Sequence, residues 1–182
     1  LPQYPNRNAS GQTGLLYGIT KDDLIKWKID QSQELDFFDI PFDDAGLSRS
    51  LPAFEGFEAI LFLDHDVYLT IETSAGNPMK SYLVRGSVSS DGEGRLAIRL
   101  DKDQIIELPQ QNQSSNASYE ALTSDGEFIY ALYEQNGQSA NEHPYTLKID
   151  QELLAIEKIP VEPINYRISD VSQRNENGEF WG

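Results

Sequence analysis

The sequence predicts an all-β fold, a β-propeller of four-stranded antiparallel blades that forms an apparently incomplete ring in this chain. Three observations predict it. First, Phe57-Glu58-Ala59-Ile60 running on to Asp66-Val67-Tyr68-Leu69-Thr70-Ile71-Glu72 recurs as Tyr119-Glu120-Ala121-Leu122 running on to Phe128-Ile129-Tyr130-Ala131-Leu132-Tyr133-Glu134. In each copy a Tyr follows the first Glu by ten residues and a second Glu comes four residues later. Second, Lys28-Ile29-Asp30-Gln31 matches Lys148-Ile149-Asp150-Gln151, and Ile40-Pro41, Leu108-Pro109 and Ile159-Pro160 mark equivalent strand ends at intervals of 68 and 51 residues. Third, short alternating runs bounded by turn residues fill the chain, with no convincing helical period. Groups of four short strands repeating every ~45–60 residues are the mark of a propeller. A β-sandwich shares the short strands and turns but does not require the Glu-to-Glu register to repeat.

Residues 1–14, with two Pro and two Gly among Asn, Gln and Ser, read as an irregular arm. Residues 15–182 read as blades. Residues 15–20 form a short apolar run, 21–23 a turn, and 24–30 alternate apolar and charged as a half-buried strand does. Residues 35–41 end on Pro41, acceptable where no ladder donor is needed. After a loop at 42–53, the second unit has strands at 58–63 and 67–72 around the Asp64-His65-Asp66 turn. Strands at 81–88 and 95–100 flank Ser89-Ser90-Asp91-Gly92-Glu93-Gly94, a hairpin signal, and 104–109 closes the unit. Because 96–98 also align with 154–156, residues 101–109 read alternatively as an extension. The third unit spans 119–123 and 128–134 around the Ser124-Asp125-Gly126-Glu127 turn, then 145–150 and 153–160. A fourth opens at 166–172 and is expected to reach its second strand at 179–182. The first unit lacks an innermost strand and the last breaks off. A longer protein, or a second chain completing the ring, is therefore expected.

The 182 residues suffice for one domain with a substantial core. Thirty acidic residues against 14 basic give a formal net charge of −16. That field repels polyanions, which argues against nucleic acid and anionic membranes and for cations or basic protein surfaces; solubility alone is the plainer reading of the same charge. The absence of cysteine excludes a disulfide framework and thiol chemistry. No run of about 18 apolar residues is present to insert into a bilayer. Absent cysteine and high acidity point to a secreted or periplasmic protein, and Leu1 in place of Met suggests a processed one. Asn8-Ala9-Ser10, Asn112-Gln113-Ser114 and Asn116-Ala117-Ser118 fit the glycosylation pattern.

In a propeller the start of a blade's first strand and the end of its second lie at one face of the disc. That places Glu58 near Glu72 and Glu120 near Glu134 at one channel mouth. Arg167 and Asp170 take the matching places in the fourth unit, while Lys21 breaks the acidic pattern in the first. Converging carboxylates suit a hard cation such as calcium, with Glu58, Glu120 and Asp170 as the metal set. They equally suit a small-molecule or protein ligand held by charge-assisted hydrogen bonds. A Glu repeated at equivalent positions also suits a structural role, binding backbone N–H groups of the next blade. All three readings stay open. Asp64-His65-Asp66, Asp101-Lys102-Asp103 and Asp43-Asp44 read as solvated turns, because none continues into a calcium loop. His65 and His143 lack zinc spacing. No nucleophile elbow, phosphate loop or dinucleotide fingerprint occurs, so no catalytic residue is nominated. Phe37, Phe38, Tyr68, Tyr130, Trp27 and Trp181 are expected in the core.

Phe54-Glu55-Gly56-Phe57-Glu58-Ala59-Ile60, Tyr119-Glu120-Ala121-Leu122-Thr123-Ser124-Asp125-Gly126 and Ile168-Ser169-Asp170 resemble strand openings of the phytase-like ("esterase-like activity of phytase") β-propeller domains. The resemblance covers residues 15–182. It implies a secreted or periplasmic propeller that binds calcium, and, as an alternative, a calcium-dependent hydrolase of phosphoric or carboxylic esters. A phosphate substrate needs bridging calcium or a basic group, and only Lys21, Arg85 and Arg167 stand near the expected mouth.

Overall fold

A computed structural model describes residues 16–76, 78–90 and 94–182. The expected arm, the Asn8 pattern, and the Asp91-Gly92-Glu93 tip of the hairpin lie outside the described residues. The chain builds mainly strands: β1 (Leu16–Ile19), β2 (Phe37–Ile40), β3 (Phe42–Asp43), β4 (Phe54–Leu63), β5 (Asp66–Thr73), β6 (Lys80–Ser90), β7 (Leu96–Leu108), β8 (Tyr119–Ser124), β9 (Phe128–Tyr133), β10 (Tyr145–Asp150) and β11 (Ile156–Pro160). Two helices, α1 (Lys21–Ile29) and α2 (Leu47–Ser50), lie in the N-terminal part. No described helix is long and apolar enough to cross a membrane.

Strands β4-β5-β6-β7 and β8-β9-β10-β11 form two antiparallel meanders, as the repeat predicts. The first sheet gains a fifth strand, because β3 adds in parallel to the outer edge of β7 through Phe42↔Ile98 and Asp43↔Arg99. Phe42 also meets Phe57 of β4, at the other end of the strand order, edge-on at 5.2 Å, so this sheet curls. The two sheets come closest at β4 and β8, the first strand of each meander.

The two sheets stack with equivalent faces turned the same way. Ala59 and Tyr68 of the first sheet join the cluster that packs on the second. Their repeat partners Ala121 and Tyr130 turn away from the first sheet and pack on Ile168 and Val171. On the reverse faces, Tyr119, Ala131 and Tyr133 pack toward the first sheet. Their partners Phe57, Leu69 and Ile71 pack on the N-terminal Leu16, Ile40 and Leu47. Two hydrogen bonds reinforce the sheet-to-sheet contact: Tyr68 donates its hydroxyl to the Gln151 carbonyl at 3.0 Å, and the Ser81 and Ser118 hydroxyls share a buried bond of 2.8 Å.

Four expectations need correction. Residues 24–30 are not a strand, because α1 covers 21–29. Thr20 caps the helix: its Oγ1 accepts from the Asp23 N–H at 3.1 Å and donates to the Asp23 carboxylate at 2.6 Å. Asp22 and Asp23 lie at the positive end of the helix dipole, and Lys26 and Lys28 at its negative end. No residue of α1 is buried, so these local signals, and not packing, select the helix over the strand. Second, residues 95–100 and 104–109 belong to one bulged strand, β7. Its register jumps from Ile105 opposite Val84 to Leu100 opposite Gly86, and Asp101-Lys102-Asp103 protrudes there, exposed. Third, residues 166–172 and 179–182 are not strands; Arg167 makes an isolated bridge with Gln135. Fourth, Phe37, Phe38 and Trp181 are exposed at 59, 42 and 85%, whereas Tyr68 is fully buried as expected.

Candidate functional site

The repeated glutamates owe their placement to a repeated backbone irregularity. Pairing between β4 and β5 skips between Phe57 and Ile60, which brackets Glu58. Pairing between β8 and β9 skips between Tyr119 and Ala121, which brackets Glu120. A bulge re-aims the side chain of the residue it carries. The two glutamates of each expected pair therefore lie at the same end of their sheet: Glu72 pairs with Gly56 beside the first bulge, and the Glu134 N–H donates to the Ser118 carbonyl just ahead of the second.

Glu72 is partly buried and close to other acids. Burial, then the charges of Glu58 and Glu55, then a hydrogen bond with Glu58 and the charge of Glu120, push its carboxyl up to about 8. Burial and the neighbouring acids thus favour the protonated form of Glu72. Glu120 is also raised, by burial, with Arg167 opposing. Glu134 is 1% exposed. The Arg167 guanidinium contacts its Oε1 and lies 4.0 Å from Glu120 Oε1. Backbone pairing sets that contact, since the Ile168 N–H donates to the Glu134 carbonyl at 3.0 Å. The second oxygen, Glu134 Oε2, is buried with no hydrogen-bond partner.

Five of the six expected site residues, Glu58, Glu72, Glu120, Glu134 and Arg167, therefore form one linked group. Asp170 is exposed, and its Oδ1 accepts locally from the Val171 N–H at 2.8 Å. Among the described residues, no three acids or histidines stand at the spacing of a metal-ligand group, so Glu58, Glu120 and Asp170 do not assemble as one. Arg85 lies toward the other end of β5, where it pairs with Asp66 at 2.9 Å and Glu152 at 2.8 Å. The sequence reading passed over Glu55 as a site residue. Its signal was its place three residues before Glu58 at the start of the same strand. Compared with protein-family models, curated proteins and solved structures, the chain matches none.

Proposed function

We propose that the chain forms successive blades of a phytase-like, secreted or periplasmic β-propeller whose glutamate-lined mouth binds a positively charged ligand. Support for the propeller comes from the two meanders, which meet at their first strands and turn equivalent faces in one direction around the stack. A sandwich would instead turn equivalent faces toward each other.

The observation that carries the binding reading is the gathering of the repeated glutamates at one end of their sheets by the two equivalent bulges. Glu55, Glu58, Glu72 and Glu120 act on one another there, while Arg167 is engaged with Glu134. A cation bound among these carboxyls converts mutual repulsion into attraction and drives the proton off Glu72. Calcium, which takes oxygen ligands in flexible geometry, and organic cations are both candidates for this chemistry.

The test is proton release. Calcium chloride or acetyl-arginine-amide is titrated into weakly buffered protein at pH 7, and the pH is followed with an indicator. Binding with release of up to about one proton per site, lost in Glu72→Gln, is expected. Failure of every cation to bind refutes the reading.

A further inference from the structure

The second sheet carries a cavity on the face turned away from the first. Residues after β11 fold back over this face, where Ile168 and Val171 pack on Ala121 and Leu132. Together with Leu132 and Ile164 they wall a cavity of about 380 Å³. Ile164, Tyr166 and Phe180 line it too and stay 42, 80 and 43% exposed. Asn136 adds a polar point to this lining, although it is only 2% exposed. Its Nδ2 donates to the Tyr133 carbonyl, and its own carbonyl accepts from the Ile164 N–H at 3.2 Å. Its Oδ1 has no hydrogen-bond partner among the described residues. A buried amide oxygen without a donor is costly, and a molecule that brings one relieves the cost.

We infer that this cavity binds an uncharged, largely apolar small molecule of one or two rings that donates an N–H or O–H to Asn136 Oδ1. Small-ligand sites have volumes of about 300–1,000 Å³, mainly apolar walls and a few fixed polar groups, and this cavity has all three. Among the described lining residues only Arg167 is charged, and Glu134 already engages it. A charged ligand thus finds no free counter-ion, and the net charge of −16 further opposes an anion. Asn136 is held through both its side chain and its backbone, so its acceptor is positioned before the ligand arrives. Apolar side chains exposed together around one cavity, and not scattered singly, mark a binding site.

Titration of the full chain with indole and with 1-methylindole, followed by amide shifts in NMR spectra, tests this. The two share nearly the same apolar body, and only indole can donate. Indole should bind about three- to tenfold tighter, the worth of one hydrogen bond, with shifts centred on residues 132–136 and 164–171. Ile164→Trp fills the cavity from a half-exposed position and should weaken indole at least about fivefold, with a thermal melt showing that the variant folds. Asn136→Ala should bring the two ligands to equal affinity. Equal affinity in the parent, a difference that survives in Asn136→Ala, shifts centred elsewhere, or indole binding unchanged in Ile164→Trp each overturns the inference. Binding by neither ligand overturns it as well. If sedimentation then shows a dimer that Ile164→Trp splits, a second copy of the chain is the occupant instead.

Discussion

Replacing Glu72 with Gln should stabilise the protein, and increasingly so as the pH rises. Gln keeps the shape and a hydrogen bond to Glu58 without the ability to ionise. In the folded protein Glu72 titrates near 8, against 4.5 for the free side chain. A carboxyl raised in this way contributes full stability below about pH 4.5, and that contribution is lost as the pH climbs through 8. At roughly 1.4 kcal/mol per pH unit the interval sets a ceiling of about 5 kcal/mol. Water reaching a group that is only partly buried reduces this to about 1–2 kcal/mol. Urea denaturation at pH 5, 7 and 9, with chelator present, measures it. The two proteins should be nearly equal at pH 5, and the variant should exceed the parent by about 1–2 kcal/mol at pH 9. Parallel stability curves for parent and variant across that range would refute the argument from a raised Glu72 carboxyl.

Arg167→Met leaves Glu134 buried without its cation and should cost about 2–3 kcal/mol, less than a fully buried pair because the guanidinium is half exposed; adding Glu134→Gln should recover most of it in the same denaturation assay. Leu147→Ala empties a fully buried position between the two sheets and should cost about 2–5 kcal/mol by chemical denaturation. In Gly86→Ala the new methyl would stand 2.5 Å from the Arg99 carbonyl oxygen and 2.9 Å from the Leu100 Cα, both backbone atoms. Prising β6 from β7 there should cost about 1–3 kcal/mol and lower the melting temperature by several degrees. Thr20→Ala removes the cap of α1 and should cost about 1 kcal/mol, read as faster amide exchange confined to residues 21–29.

What was legible in the sequence is what repeats chemically. The Glu-to-Glu spacing located β4-β5 and β8-β9 and brought four glutamates to one end, because strand register converts sequence spacing into position directly. The Lys-Ile-Asp-Gln match misled, since its first copy ends a helix and its second ends β10. Leu24, Ile25, Trp27 and Ile29 alternate well enough for a strand, and the decisive signal was the Thr20 and Asp23 capping pair instead. The two residues of β3 were invisible, because their parallel pairing depends on the edge that β7 happens to present. Ile168 and Val171 pack on Ala121 and Leu132, yet beyond the Arg167–Gln135 bridge the backbone makes only scattered hydrogen bonds, such as Ser172 N–H to the Trp181 carbonyl at 2.8 Å, and no strand. Arg167 itself was legible by place, but its ion pair follows from the bridge and not from spacing.

Strand order bears on which sheet edges stay open to another chain. The first strands β4 and β8 lie against each other, so exposed strand edges concentrate on the outer side. There β3 covers part of the β7 edge, and the three-residue protrusion at Asp101-Lys102-Asp103 interrupts the rest with charge. The other outer edge, β11, is only five residues long and reads Ile-Glu-Lys-Ile-Pro. Its charges and Pro160 make it a poor template for another chain to extend. Intermolecular β-sheet growth, the common fate of open-edged sheets, is thereby discouraged at the β7 and β11 edges by means independent of the glutamate end.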